Sequence, residues 1–290
     1  MLYKAAKGYL TRKWLYGLKQ DLVSEEEFTA QAMPELHAAI EAMIGPAIIP
    51  EFNHTGPVHN LSGLRLANGA IYKGSWNLAG QRHGLGTEIL PRVSVYTGHF
   101  QAGARTGYGR LVEFAGHAYE GEFLNGQAHG EGLYVELSGA AYEGSFKNHL
   151  PHGLGEEAFP DGSTYVGDYK EGKKHGFGKF QWPDGSSYNG HFQNNLFHGM
   201  GEYRWSNGKV YNGNWAAGAM QGAGRMEWPD GRIYVGDFDA DRRHGTGEYL
   251  WPSGKKYVGE FREDREDGSG VLHEKGTAKK GVWKQGVFVG

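Results

Sequence analysis

The chain has 290 residues, a formal net charge of -3 with histidine neutral, and no cysteine. The missing thiols exclude a disulfide framework, thiol catalysis and thiolate zinc sites, and the near-even charge balance argues against the broad basic face of a nucleic-acid binder. Only 39% of residues are hydrophobic, and no apolar run reaches the ~20 residues of a transmembrane helix.

The N-terminal segment, residues 1–60, splits by charge. Residues 1–20 carry Lys4, Lys7, Arg12, Lys13 and Lys19 and no acid; residues 21–60 carry seven acids and neither Lys nor Arg. Ser24 with Glu27 three residues later fits a capping box, which predicts a helix start. Pro34 interrupts that helix or opens a second one. Leu36, Ile40, Met43 and Ile44 then form an apolar stripe at helical spacing. Gly45-Pro46 stops the helix, and Pro46, Pro50 and Pro57 mark an extended linker. Three readings follow. The stripe is a cap folded on whatever sheet comes next. Or Trp14, Leu36, Ile40, Met43 and Ile44 form a docking segment for a partner. Or residues 1–20 are a basic targeting helix of the mitochondrial-import kind, although they are poor in Arg and Ser.

From residue 61 onward glycine takes over. Of 49 glycines, five precede residue 69 and 44 follow. They are in register with a tyrosine series, Tyr72, Tyr96, Tyr119, Tyr142, Tyr165, Tyr188, Tyr211, Tyr234 and Tyr257, in which every step after the first is 23 residues. A fixed period of this length means a repeat architecture. Each unit reads Tyr-x-Gly-x-aromatic, two spacers, a turn residue, two spacers and His-Gly-x-Gly. In the unit beginning at Tyr165 these are Gly167, Tyr169, Gly172, His175, Gly176 and Gly178. Tyr, Gly and the aromatic at alternate positions share one face of a strand, and the residues between them, such as Asp168 and His191, face the other way. Glycine between two aromatics lets the rings lie over the backbone. The turn position is Gly103, Gly126, His149, Gly172, Asn195, Gly218, Asp241 or Asp264. All of these residue types tolerate φ > 0, so a left-handed residue is expected there. Pro-Asp-Gly, as in Trp182-Pro183-Asp184-Gly185, turns the chain into the next unit.

The expected fold is therefore mostly β: an elongated, single-layer antiparallel meander of about nine β-hairpin repeats with a short helical N-terminal segment. Full units run from 72 to 278. Residues 61–71 and 279–290 read as capping half-units, so the array covers 61–290.

This skeleton resembles the MORN (membrane occupation and recognition nexus) repeat, over nine units in phase. Three units depart from it by placing Thr106, Gln221 or Asp267 where the others have His. The resemblance implies a binding scaffold without catalytic chemistry, found in ciliary, cytoskeletal and membrane-junction assemblies. Such arrays bind partner proteins along an aromatic groove, and some have been proposed to bind phospholipids. On this chain the groove would be lined by Tyr119, Phe123, Tyr142, Phe146, Tyr165, Tyr169, Tyr188, Phe192, Tyr211, Trp215, Tyr234 and Phe238. The ladder has two duties in this reading: rings pack between repeats, and one face stays partly open to a helix or extended peptide.

No cofactor and no metal is expected. Histidines recur at His83, His129, His152, His175, His198 and His244. Equivalent positions in adjacent repeats lie about 9–10 Å apart, too far for two imidazoles to share one zinc. Asp237, Asp239, Asp241 and Glu248 mimic an EF-hand loop, but Arg242 stands where its glycine belongs. The glycine pairs lack the Lys-Ser/Thr of a phosphate loop, and no acid–base pair stands out from the periodic background. Lys and Arg form no repeated column in this reading, so a phospholipid surface would be met through residues 1–20. The expected setting is cytoplasmic, cytoskeletal or axonemal, or the cytoplasmic face of a membrane, with a mitochondrial complex as the alternative.

Overall fold

The computed structural model describes residues 22–51 and 58–290. Trp14 and the basic stretch 1–20 lie outside the described residues, and so do the targeting and lipid-contact readings that depend on them.

Two helices open the described chain. In α1 (Glu25–Gln31) the Ser24 side chain accepts a hydrogen bond from the Glu27 N–H at 3.1 Å, satisfying one free donor of the first turn. Pro34 opens α2 (Pro34–Ile44) rather than breaking α1, and Gly45 ends it at φ 80°.

The strands then run without further helices as one antiparallel meander, 21 strands among the described residues. They are β1 (His59–Arg65), β2 (Ile71–Trp76), β3 (Arg82–Leu90), β4 (Ser94–Gln101), β5 (Ala104–Glu113), β6 (His117–Leu124), β7 (Gln127–Glu136), β8 (Ala141–Lys147), β9 (Leu150–Ala158), β10 (Thr164–Lys170) and β11 (Lys173–Gln181). They continue as β12 (Ser187–Gln193), β13 (Leu196–Arg204), β14 (Val210–Ala216), β15 (Ala219–Glu227), β16 (Ile233–Asp239), β17 (Arg242–Leu250), β18 (Lys256–Arg262), β19 (Arg265–Glu274), β20 (Thr277–Lys284) and β21 (Val287–Phe288). The chain divides into two compact units, one ending at Pro151 and one beginning at His152, with the boundary inside β9.

Whereas β2–β3 closes over the longer Asn77–Gln81 loop with Gly80 alone at positive φ, each repeat hairpin from β4–β5 onward closes on two successive residues of positive φ. Examples are Glu171 at 51° with Gly172 at 76°, Asn194 at 52° with Asn195 at 71°, and Ala240 at 44° with Asp241 at 69°. Two left-handed residues in succession make a type I′ turn, whose twist matches that of the strands. The second residue of each pair is the one the glycine-rich column marked. The first is Asn at Asn125, Asn148 and Asn194, a residue suited to positive φ, but elsewhere it carries no such signal. Ala102, Ala217, Ala240, Glu171 and Glu263 hold positive φ although Ala and Glu disfavour it, because a two-residue loop needs both positions left-handed. Between hairpins the Gly185 N–H donates to the Trp182 carbonyl at 3.0 Å, and Asp184 Oδ1 accepts from the Ser186 N–H at 2.9 Å.

In unit one the helices cover the sheet face opposite the tyrosines. Val23 packs with Ile71, Ile89 and Val95, beside Phe28 and Met33 of the α1 region. Ile40 of α2 is fully buried against Val112, Ala118 and Val135, flanked by Leu36 and Ile44. The docking residues Leu36, Ile40 and Ile44 are thus occupied by this chain's own sheet, because Val112, Ala118 and Val135 offer them an apolar strip. Met43, 42% exposed, is the member of the stripe left facing solvent. Arg110 is buried between this helix and the strands; it pairs with Glu120 and donates to the Gly45 carbonyl at 2.9 Å, closing the C-terminus of α2.

In unit two the meander continues to β21, which pairs Trp283 with Phe288. Trp283 meets Tyr257 edge-on at 5.1 Å, which carries the ring column through the terminal half-unit.

Candidate partner-binding face

Opposed glycines build the floor of the aromatic face. Gly167 sits across from Gly178, and Gly178 from Gly190. A Cβ at Gly178 would overlap the Tyr165 ring, so glycine is what lets that ring lie flat on the strands. The Tyr165 hydroxyl then donates to the Asp168 carbonyl at 3.0 Å, and Tyr188, Tyr211 and Tyr234 repeat the bond to His191, Asn214 and Asp237.

The rings interlock edge to face. Tyr165 meets Tyr169 at 5.2 Å and Phe192 of the next repeat at 5.1 Å; Tyr211 meets Trp215 at 5.2 Å and Phe238 at 5.0 Å. Unit one repeats this arrangement, with Tyr119 between Phe123 and Phe146 at 5.1 and 4.9 Å, and Tyr142 on Phe146 at 5.0 Å. Edge-to-face pairs contribute about 0.5–1.5 kcal/mol each beyond their buried area. All twelve rings singled out from the sequence lie between 0 and 6% exposed. The structure therefore places them in the packing column. Burial pushes the hydroxyls of Tyr188, Tyr211 and Tyr234 above the ordinary phenol range.

The accessible aromatic surface comes from different residues. On the same face of unit two, Phe159, Phe180, Trp182, Tyr203 and Trp205 are half-buried and follow one another at 5.5, 4.4, 5.4 and 4.5 Å. Trp228, Tyr249 and Trp251 continue the pattern at 5.8 and 4.5 Å, with Tyr249 itself buried. At the equivalent second-strand position unit one has Glu88, Leu111 and Tyr134. Glu88 is paired there with Arg82 and Arg105, so the open aromatic row is a feature of unit two.

A basic column accompanies it. Lys209, Arg232 and Lys255 recur at the 23-residue period and stand over Trp205, Trp228 and Trp251 at 3.6, 5.4 and 5.0 Å. This corrects the expectation that no repeated cation column exists. The signal was present one residue beyond the turns Asn207-Gly208, Asp230-Gly231 and Ser253-Gly254, whereas Ser163 and Ser186 stand at the same place after Asp161-Gly162 and Asp184-Gly185. Its cations are partly spent at home, since Arg232 also pairs with Asp230 at 2.7 Å.

Among the described residues no three His, Cys, Asp or Glu side chains are grouped to hold a metal ion. The EF-hand mimic is dispersed: Asp237 accepts from the Thr246 N–H, Asp239 from Gln221, and Asp241 from the Met220 N–H. No helix among the described residues is long and apolar enough to cross a membrane.

This architecture is that of a β-hairpin repeat protein, in which each unit packs on its neighbours and carries no separate core. Nine segments match the MORN repeat, at residues 72–92, 96–112, 119–135, 142–164, 165–187, 188–210, 211–231, 234–256 and 257–273, and the chain belongs to the MORN repeat family. No curated protein matches it. Among solved structures it is similar to the SAS-4 TCP domain of Drosophila melanogaster in complex with a proline-rich motif of Ana2. That match has 10% identity, covers 75% of this chain and 98% of the other, and has a TM-score of 0.30. The TCP10 domain of Danio rerio CPAP gives 15% identity over 68% and 92% of the two chains, with a TM-score of 0.31. Virginiamycin B lyase from Staphylococcus aureus gives 10% over 80% and 87%, with a TM-score of 0.16. Scores this low carry no functional inference.

Proposed function

We propose that this repeat scaffold is a non-enzymatic adaptor, and that a protein partner lies along the half-buried aromatic row of unit two. The observation that carries this reading is the continuous series Phe159, Phe180, Trp182, Tyr203 and Trp205, neither sealed in the core nor scattered. Aromatic side chains with one wet edge are the usual anchors of protein interfaces. The Lys209, Arg232 and Lys255 column beside it favours a partner segment carrying acids. Family kinship supports a place in a ciliary, cytoskeletal or other large assembly.

The test is quantitative co-purification from the protein's own cells, comparing the wild type with Trp182→Ala/Trp205→Ala. A defined set of proteins lost by at least tenfold from a variant that keeps its circular dichroism supports the reading. An unchanged set from the folded variant removes it. Phe192 and Trp215 make poor probes, because truncating a buried aromatic costs about 3–5 kcal/mol of stability.

A further inference from the structure

The second face of unit two carries a pattern that neither the ring column nor the aromatic row uses. Side chains alternate along each strand, so Val166 and Asp168 project opposite Tyr165. Across this face Glu156, Val166, Lys179, Asn189, Glu202, Asn212 and Arg225 are successive cross-strand neighbours from β9 to β15. At every second strand the row reads Glu156, Lys179, Glu202, Arg225, and the charge alternates in sign; Glu202 also pairs with Arg204 of its own strand at 2.7 Å and Arg225 with Glu227 at 2.6 Å, so both are shared rather than free. One step along the strands runs a parallel apolar row: Leu154, Phe177 and Met200, which are 69%, 53% and 53% exposed, and then Ala223. In unit one α2 covers this face; in unit two no described residue does.

We infer that this face is a self-complementary surface on which a second copy of the chain stacks about a two-fold axis running along β12. Such an axis maps β11 onto β13 and β9 onto β15 of the second copy, at unchanged height along the strands. Lys179 then faces Glu202 and Glu156 faces Arg225, in both directions at once, as an isologous interface requires. Phe177 faces Met200, and Leu154 faces Ala223. On β12 itself Asn189 and His191 meet their own copies, so no acid meets an acid and no Lys or Arg meets a Lys or Arg. Placing the axis on β14 would also match charges, but it would set Phe177 against Thr246 and Leu154 against Ser269. The apolar row selects β12. Stacked sheets lie about 10 Å apart, a gap that Phe with Met, and Lys with Glu, can span. Aligned sheets cross at about 30°, so the inner Lys179–Glu202 pairs, about 5 Å from the axis at the usual strand spacing, hold register better than the outer ones. Seven strands of this width bury on the order of 600 Å² per partner, below the roughly 800 Å² of a standard interface. The dimer is therefore expected in the micromolar range.

The test is sedimentation equilibrium of the full chain from low to high micromolar concentration, with circular dichroism of every variant. The wild type is expected to show a monomer–dimer equilibrium. Lys179→Glu alone and Glu202→Lys alone each set like charges against the second copy and are expected to weaken dimerisation about 100-fold. The double variant Lys179→Glu/Glu202→Lys, and an equimolar mixture of the two single variants, are expected to recover it, since both arrangements restore opposite charges. A wild type that stays monomeric throughout overturns the inference. So does a dimer indifferent to both single reversals, or one that the double variant fails to restore.

Discussion

At the residue scale the decisive relation is between one glycine and one tyrosine. Gly178→Ala sets a Cβ into the Tyr165 ring at a position that is not left-handed. The ring is locked between Tyr169 and Phe192, so the expected cost is about 2–4 kcal/mol, read as a shift in urea midpoint. Gly185→Ala is the contrast. There φ is +85° and a Cβ meets nothing within 4 Å, so only the backbone conformation is penalised, by about 1 kcal/mol. Equal losses at the two sites would refute the ring-on-glycine account. The buried hydroxyls make a second prediction at this scale. The folded-state pKa values of Tyr188, Tyr211 and Tyr234 are raised by burial. The stability they confer is full below the ordinary phenol pKa of about 10 and is lost as pH rises beyond it. Tyrosinate absorbance is expected to appear together with alkaline unfolding; free titration of these residues in a folded chain would contradict this.

At the element scale α2 is held by few contacts, which makes it separable from the array. Ile40 is its one fully buried side chain, and the Gly45 carbonyl is tied to Arg110. Ile40→Ala is expected to cost about 2–4 kcal/mol of local stability, seen as lost amide protection across residues 34–44 with the strands of unit two unaffected. His37 adds a pH dependence. Desolvation lowers its pKa, opposed by Glu41 and reinforced by Arg110. Its Nε2 is buried with no hydrogen-bond partner. A histidine with a lowered folded pKa contributes stability that is full above its unfolded value of about 6.5 and falls away as pH drops below it. Protection of α2 is therefore expected to decline first on mild acidification, and His37→Gln is expected to flatten that decline. An α2 equally protected on both sides of the histidine range would show that His37 is not the cause.

At the scale of the whole molecule, identical units make the array insensitive to their number and sensitive to their phase. Removing residues 188–210 takes out one full period of unit two and rejoins Ser187 to Tyr211, so each remaining tyrosine still meets the next repeat's aromatic. Removing residues 188–209 instead leaves the side chains beyond the junction one position out of step, on the wrong face. The first deletion is expected to give a folded monomeric unit with native-like circular dichroism, and the second an aggregating one. If both fold alike, the phase of the tyrosine column does not set the register.

The sequence by itself determined the repeat, its period, its hairpins and the side of each strand on which tyrosine sits, because every one of these is a local rule applied nine times. It also marked the start of α1 at Ser24 and the end of α2 at Gly45, while leaving open whether Pro34 broke one helix or opened a second. Only the tertiary structure decided which aromatics are accessible. Spacing reveals that Tyr165 and Phe180 share a face, but not that the rings of adjacent repeats close edge-on over Tyr165 and leave Phe180 half open. It likewise decided the fate of the stripe at Leu36, Ile40 and Ile44. An amphipathic helix shows from sequence that it will be covered, whereas what covers it depends on which distant strands present Val112, Ala118 and Val135 within reach. The first residue of the I′ turn was hidden for the same reason wherever it is Ala or Glu rather than Asn. Positive φ at Ala240 or Glu171 is imposed by closure of a two-residue loop between strands already paired, a non-local constraint that outweighs the preference of the residue itself.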